Sequence, residues 1–229
     1  MGLQYRNKFA ATIKVLINIA VSLGLYFVMG LSFAFVILWY SNVVMPDSLL
    51  IHLVETIGIV SAVIYLFQVY PTSSIPLTLN HRIRKTLFYG LLGGVTLAAL
   101  HFPYHIVFQG SPIPNSSDIS TNSPFLIILF LFLGAVVGPL FEELYFRGCI
   151  FRLLKTNLGF TAATAISSTL FAYGHDQNNF DVFFGKFIIS LFLTFLYEHS
   201  GNIISPIIAH SMGNTFWFSA IYLYKYGFI

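Results

Sequence analysis

The feature that most constrains this chain is a series of uninterrupted apolar runs, several of them close to 20 residues long. Wound into a helix, such a run matches the hydrocarbon core of a bilayer, about 30 Å thick. Only helices and closed barrels satisfy every backbone group in lipid, and runs that are continuous rather than alternating select helices over a barrel. Only 8% of the residues are charged and 57% are apolar, against about 25% charged in a soluble domain. A water-soluble fold could not cover that much apolar material with polar surface. The expected fold class is therefore all-α, a polytopic transmembrane helix bundle of about seven spans. These fall at roughly 14–40, 51–70, 86–108, 124–153, 160–175, 182–198 and 203–223. The single cysteine, Cys149, excludes an intrachain disulfide. The net charge of +3 suits a membrane protein, with the lipid bilayer as partner and no nucleic acid. No internal repeat is visible.

Charge orients the spans through the inner-side excess of Lys and Arg. With the N-terminus in the cytoplasm, nine of the eleven basic residues fall on the inner side, among them Lys8, Lys14, Arg84, Arg147, Arg152 and Lys155. Lys186 and Lys225 fall toward the outside, Lys186 at a span end where a lysine can snorkel. The expected location is an integral membrane protein with its N-terminus inside.

The acids inside the spans are all glutamates, and an ionisable group there costs at least ~2.5–3.5 kcal/mol on insertion scales, which makes it a functional hypothesis. The fourth span carries Pro139, Glu142, Glu143 and Arg147. Pro139 leaves the carbonyl of Ala135 without its helical partner, so a kink is expected just before the acids. Glu143 and Arg147 are four apart in the favourable order for an ion pair. Glu142 points about 100° away and is left to face something else. In the hairpin of spans four and five, turning near Asn157–Gly159, Glu142 lies 16 residues before position 158 and His175 lies 17 after it. At ~1.5 Å per residue they sit at nearly one height. In the seventh span, His210 and Asn214 are four apart and share a face.

Each group alone has a plainer reading: a salt bridge at the membrane edge for Glu143 and Arg147, an interfacial histidine for His175, an interhelical hydrogen bond for Asn214. Glu55 and Glu198 read as charges near span ends. His101 and His105, four apart around Pro103, form a weak metal-ligand pair, and Gly90 and Gly94 mark a close helix contact. The set as a whole reads further. Glu142 and His175 offer a base and proton shuttle for water, and His210 and Asn214 two donors for an oxyanion. No serine or cysteine has an evident base partner, which favours direct attack by water.

Glu-Glu-x-x-x-Arg at 142–147, Phe-x-x-x-His at 171–175 and His-x-x-x-Asn at 210–214, in that order on successive helices, resemble the CPBP family. This is the CAAX-protease and bacteriocin-processing (Abi) family of intramembrane endopeptidases, related to the CAAX prenyl protease. The resemblance covers roughly 86–223 and implies two regions in one integral membrane domain: 1–85, two N-terminal spans and a cytoplasmic loop, and 86–229, the catalytic region. It implies that Glu142 and His175 activate water, that His210 and Asn214 stabilise the oxyanion, and that Glu143 and Arg147 support the site. The implied substrate is a membrane-associated peptide or protein, in a bacterial setting of peptide maturation, immunity or signalling. No cofactor is certain. A divalent metal such as zinc is possible chemistry for the family, and its ligands here would be Glu142, His175 and His210, although the H-E-x-x-H helix of zincins is absent. Two other classes stay open, a non-catalytic immunity or scaffold protein and an ion-coupled transporter.

Overall fold

A computed structural model describes residues 2–40, 47–70, 83–109, 123–175 and 179–225. Among them the chain forms seven helical rods and no strand. They are α1 (Gly2–Tyr40), α2 (Asp47–Val69), α3 (Ile83–Gln109), α4 (Pro124–Leu158), α5 (Phe160–Tyr173), α6 (Phe180–Ser200) and α7 (Ile204–Lys225). The first four rods and α6 are long and apolar enough to cross a membrane. In those five apolar stretches only 17–33% of the residues are buried inside the protein. The remaining apolar surface, with Leu31, Phe35, Trp39, Phe125 and Ile128 exposed, faces outward, as lipid contact requires.

Two rods depart from the seven expected spans. Helix α5 has 14 residues and is thus about 21 Å long, short of a ~30 Å core. Its last residue, Tyr173, is followed directly by Gly174 and His175. Helix α7 is long enough, at 22 residues, but its Ser205, His210, Ser211 and Asn214 dilute the apolar character.

Helix α4 is not one uniform helix. It reads α-helical over Pro124–Phe132, π-helical over Leu133–Val137, α-helical over Gly138–Glu143, π-helical over Leu144–Phe151 and α-helical again over Arg152–Leu158. Pro139 sits at the start of the middle segment, where its missing N–H and ring are tolerated. The wide turn ahead of it takes the place of the expected sharp kink, and such turns recur at functional sites. Both glutamates thus lie in a six-residue α-helical segment between two wide turns. Gly159, at φ 85 and ψ 173, makes the hairpin into α5 at a backbone conformation that a side chain would strain.

The rods pack in three apolar clusters. The largest joins α1, α2, the second half of α4, α5, α6 and the turn into α7 through Ile19, Val63, Ile150, Phe151, Ala163, Phe171, Tyr197 and Ile203. A second joins Leu49, Phe130, Leu133 and Ile221. The third joins Leu97 of α3, Leu193 and Leu196 of α6 and Ala209 of α7. Helices α3 and α7 approach closely along the expected glycines. A Cβ on Gly94 would stand 2.7 Å from Met212, and one on Gly90 3.0 Å from Ile208. Ser205 Oγ donates to the Thr86 carbonyl across that contact, at 2.8 Å. Glu198 bonds to Lys155 on α4, in keeping with a structural role at a span end. The side chains of His101 and His105 lie outside the described residues.

Candidate active site

Arg147 and Glu143 are both fully buried, and Arg147 Nη1 donates to Glu143 Oε1 at 3.0 Å. This is an interior ion pair, not one at the membrane edge, so Arg147 does not contribute to the inner-side charge excess. Its Nη2 donates to the Ser190 carbonyl at 2.9 Å and to Ser190 Oγ at 2.7 Å. The guanidinium also lies over the ring of Phe171, 4.8 Å from its centre. The pair is thus tied to α5 and α6 as well as to α4.

Glu143 has a second partner that helix phase did not reveal. His210 Nδ1 stands 2.9 Å from Glu143 Oε1. A carboxylate only accepts, so Nδ1 carries the hydrogen and donates it. This fixes the ring and turns Nε2 toward Glu142 Oε2, 3.9 Å away. His175 is fixed in a similar way. Its Nδ1 lies 2.8 Å from the Phe171 carbonyl, which again can only accept, and its Nε2 faces Glu142 Oε2 at 3.7 Å. Two imidazoles therefore present Nε2 to one carboxylate oxygen. That oxygen is buried and has no hydrogen-bond partner among the described residues. Phe171 spaces the groups, with its ring 4.5 Å from that of His175 and 5.9 Å from that of His210.

Asn214 Nδ2 donates to the Gly134 carbonyl, in the first wide turn of α4, at 2.9 Å. Because that oxygen only accepts, the amide nitrogen faces it and keeps one more N–H. Glu142, His175 and Asn214 line one cavity of about 780 Å³, within the ~300–1,000 Å³ range of ligand clefts. Its walls are largely apolar, from Leu23, Phe27, Leu97, Leu133, Phe184 and Trp217. His210 stands just behind, only 4% exposed. The four residues expected to act together thus converge, on α4, α5 and α7.

Several contributors carry no motif, and Glu55 and Lys186 read from sequence only as charges near span ends. Helices α1 and α2 supply Tyr26, Phe27, His52 and Glu55 to the cavity wall. Glu55 stands 3.5 Å from His52 Nδ1 and also borders the cavity. Lys186 also lines the cavity. Ser22 on α1 hydrogen-bonds Tyr145, at 2.8 Å, directly beneath this region of α4.

For a metal, the candidate donors are Glu142 Oε2 and the two Nε2 atoms. Ligands on a tetrahedral zinc with bonds of about 2.0–2.1 Å stand about 3.3–3.4 Å apart, whereas these stand 3.7 and 3.9 Å from Oε2. Among the described residues no group of three or more His, Cys, Asp or Glu side chains is drawn in closely enough to hold an ion. The set as arranged does not fit a bound zinc, and no step below passes through one.

Residues 124–216 match a family model described as type II CAAX prenyl endopeptidase Rce1-like. The match takes in all three motifs, up to Asn214. The UPF0177 protein YxdF of Lactococcus lactis is 33% identical over 137 residues, which cover 60% of this chain and 74% of that protein. The chain belongs to the CPBP family. Two further relatives are the membrane-embedded CAAX protease MroQ of Staphylococcus aureus, 33% identical over 117 residues, and the putative membrane peptidase YdiL of Bacillus subtilis, 34% identical over 99. The matches cover 45% and 43% of this chain, and the chain spans less than half of each relative, 46% and 38%. No solved structure gives a significant match.

Proposed function

We propose that this protein is an intramembrane endopeptidase that hydrolyses a peptide bond in a membrane-associated peptide or protein, with water activated by Glu142 and His175. The observation that carries the reading is the pair of imidazoles, each held at Nδ1, whose Nε2 atoms face the unpartnered Oε2 of Glu142. A separation of 3.7 Å is too long for a direct hydrogen bond. One water molecule resting against both groups can donate one hydrogen to Glu142 and the other to the His175 Nε2 lone pair. Its own lone pair is then free to attack a carbonyl carbon.

In the attack, the water oxygen bonds to the carbonyl carbon and its proton passes to Glu142. The carbonyl π electrons move onto oxygen. The oxyanion is received by the free N–H of Asn214 and by His210 Nε2–H. Donation from that atom needs a hydrogen on both ring nitrogens, Nδ1–H to Glu143 and Nε2–H to the oxyanion. When the C–N bond breaks, Glu142 returns the proton to the leaving amine. Arg147 and Glu143 position His210 without touching the reacting atoms. The orientation that fits the basic residues is N-terminus inside, with residues 86–229 carrying the chemistry in a bacterial plasma membrane. Peptide maturation, immunity or signalling are the roles in view.

The test is Glu142→Gln in the purified full chain with a membrane-anchored peptide substrate. It keeps shape and removes the base, and turnover should drop about 10²–10⁴-fold. Cleavage at the wild-type rate by the variant refutes the mechanism. Exhaustive chelation should leave wild-type cleavage unchanged, and loss restored by added zinc would put a metal into the step.

A further inference from the structure

Lys186 lies on α6, one turn and a half in from Phe180, and reads from sequence as a lysine reaching toward the outer surface. It instead borders the cavity that holds Glu142, His175 and Asn214. The other charged groups near it each face a named neighbour. Arg147 is bonded to Glu143 and Ser190, Glu142 faces two imidazoles, and Glu55 is occupied by His52. Lys186 enters no ion pair and no hydrogen bond among the described residues. The acids whose fields reach it are Glu142 and Glu55, yet neither pairs with it. An ammonium carries three donors and no acceptor, and on a largely apolar wall inside a membrane protein such a group calls for an anionic partner.

We propose that Lys186 binds a carboxylate of the peptide substrate and so determines which peptides the cavity accepts. This rests on the peptidase reading above and adds to it a chemical requirement on the substrate. The carboxylate is either the terminal one or that of an Asp or Glu side chain. Either one, drawn to Lys186, would lie in the same cavity as the water held by Glu142 and His175, which would bring the neighbouring peptide bonds toward it.

The experiment uses the full chain in detergent and three fluorescent peptides of one apolar sequence. One has a free C-terminus, one is amidated, and one is amidated with a single Glu near its end. Binding and cleavage are both measured for wild type, Lys186→Gln and Lys186→Arg. Wild type should bind at least one carboxylate-bearing peptide about tenfold tighter than the neutral one. Lys186→Gln should erase that preference through KM while binding the neutral peptide as wild type does, and Lys186→Arg should keep it. Which peptide is preferred identifies the source of the carboxylate. Equal binding of all three peptides by wild type overturns the proposal. So does an equal loss for all three in Lys186→Gln, or a change confined to co-purified phospholipid. Lys186-dependent binding without cleavage would support the carboxylate site and refute the peptidase reading. Cleavage indifferent to Lys186 would do the reverse.

Discussion

Replacing Arg147 by Met tests the interior ion pair that braces the site. The side chain keeps an unbranched apolar stem as far as the Nε position but loses the guanidinium, which is fully buried and makes three hydrogen bonds. Removing one partner of a buried pair costs about 3–5 kcal/mol, because a charge is left without its counterpart. Here the lower end applies. His210 Nδ1 still bonds Glu143 Oε1, and Thr194 Oγ1 still bonds the Ser190 carbonyl at 2.9 Å. For a chain of this size, a loss of about 3 kcal/mol lowers the unfolding midpoint by about 6–12 °C. The double variant Arg147→Met with Glu143→Gln removes both charges and keeps an acceptor for His210, so most of that loss should return. Thermal unfolding in detergent, followed by circular dichroism for wild type, both single variants and the double, completes the cycle. A single variant within about 1 kcal/mol of wild type, or a double no more stable than Arg147→Met, would refute the assignment of a coupled interior pair.

Two more substitutions separate chemistry from packing. Asn214→Ala removes an oxyanion donor and should cut turnover about 10²–10³-fold, read as kcat on a peptide substrate with the fold checked by unfolding. Gly94→Leu should push α3 off α7, because a Cβ there meets Met212 at 2.7 Å. Overpacking of this kind costs about 1–3 kcal/mol, while Gly24→Ala, in mid-helix with no atom within 4 Å of the new Cβ, should not lower the unfolding midpoint, since alanine is the better helix former.

The sequence by itself determined the class of fold and the level of the site. Apolar run length against bilayer thickness dictates helices, and near-equal residue counts from the hairpin turn put Glu142 and His175 at similar heights on neighbouring helices. The Glu143–Arg147 pair and the His210–Asn214 face follow from the same periodicity, since both are four residues apart on one helix. Only the tertiary structure decided what each of these groups touches. The Glu143–His210 bond joins residues 67 apart, the Arg147–Ser190 bonds join residues 43 apart, and Asn214 finds its carbonyl 80 residues back. None has a local signature, because each depends on which helices become neighbours. The wide turns of α4 change helix phase at Leu133–Val137 and Leu144–Phe151, so counting along an ideal helix cannot say which way the glutamates finally point. The cavity wall from α1 and α2, and the turn of Lys186 inward, depend likewise on how the rods pack. Helical geometry is local and is written in the spacing of residues. The choice of partner in a bundle is settled by the mutual fit of apolar faces, and that exists only once the bundle has assembled.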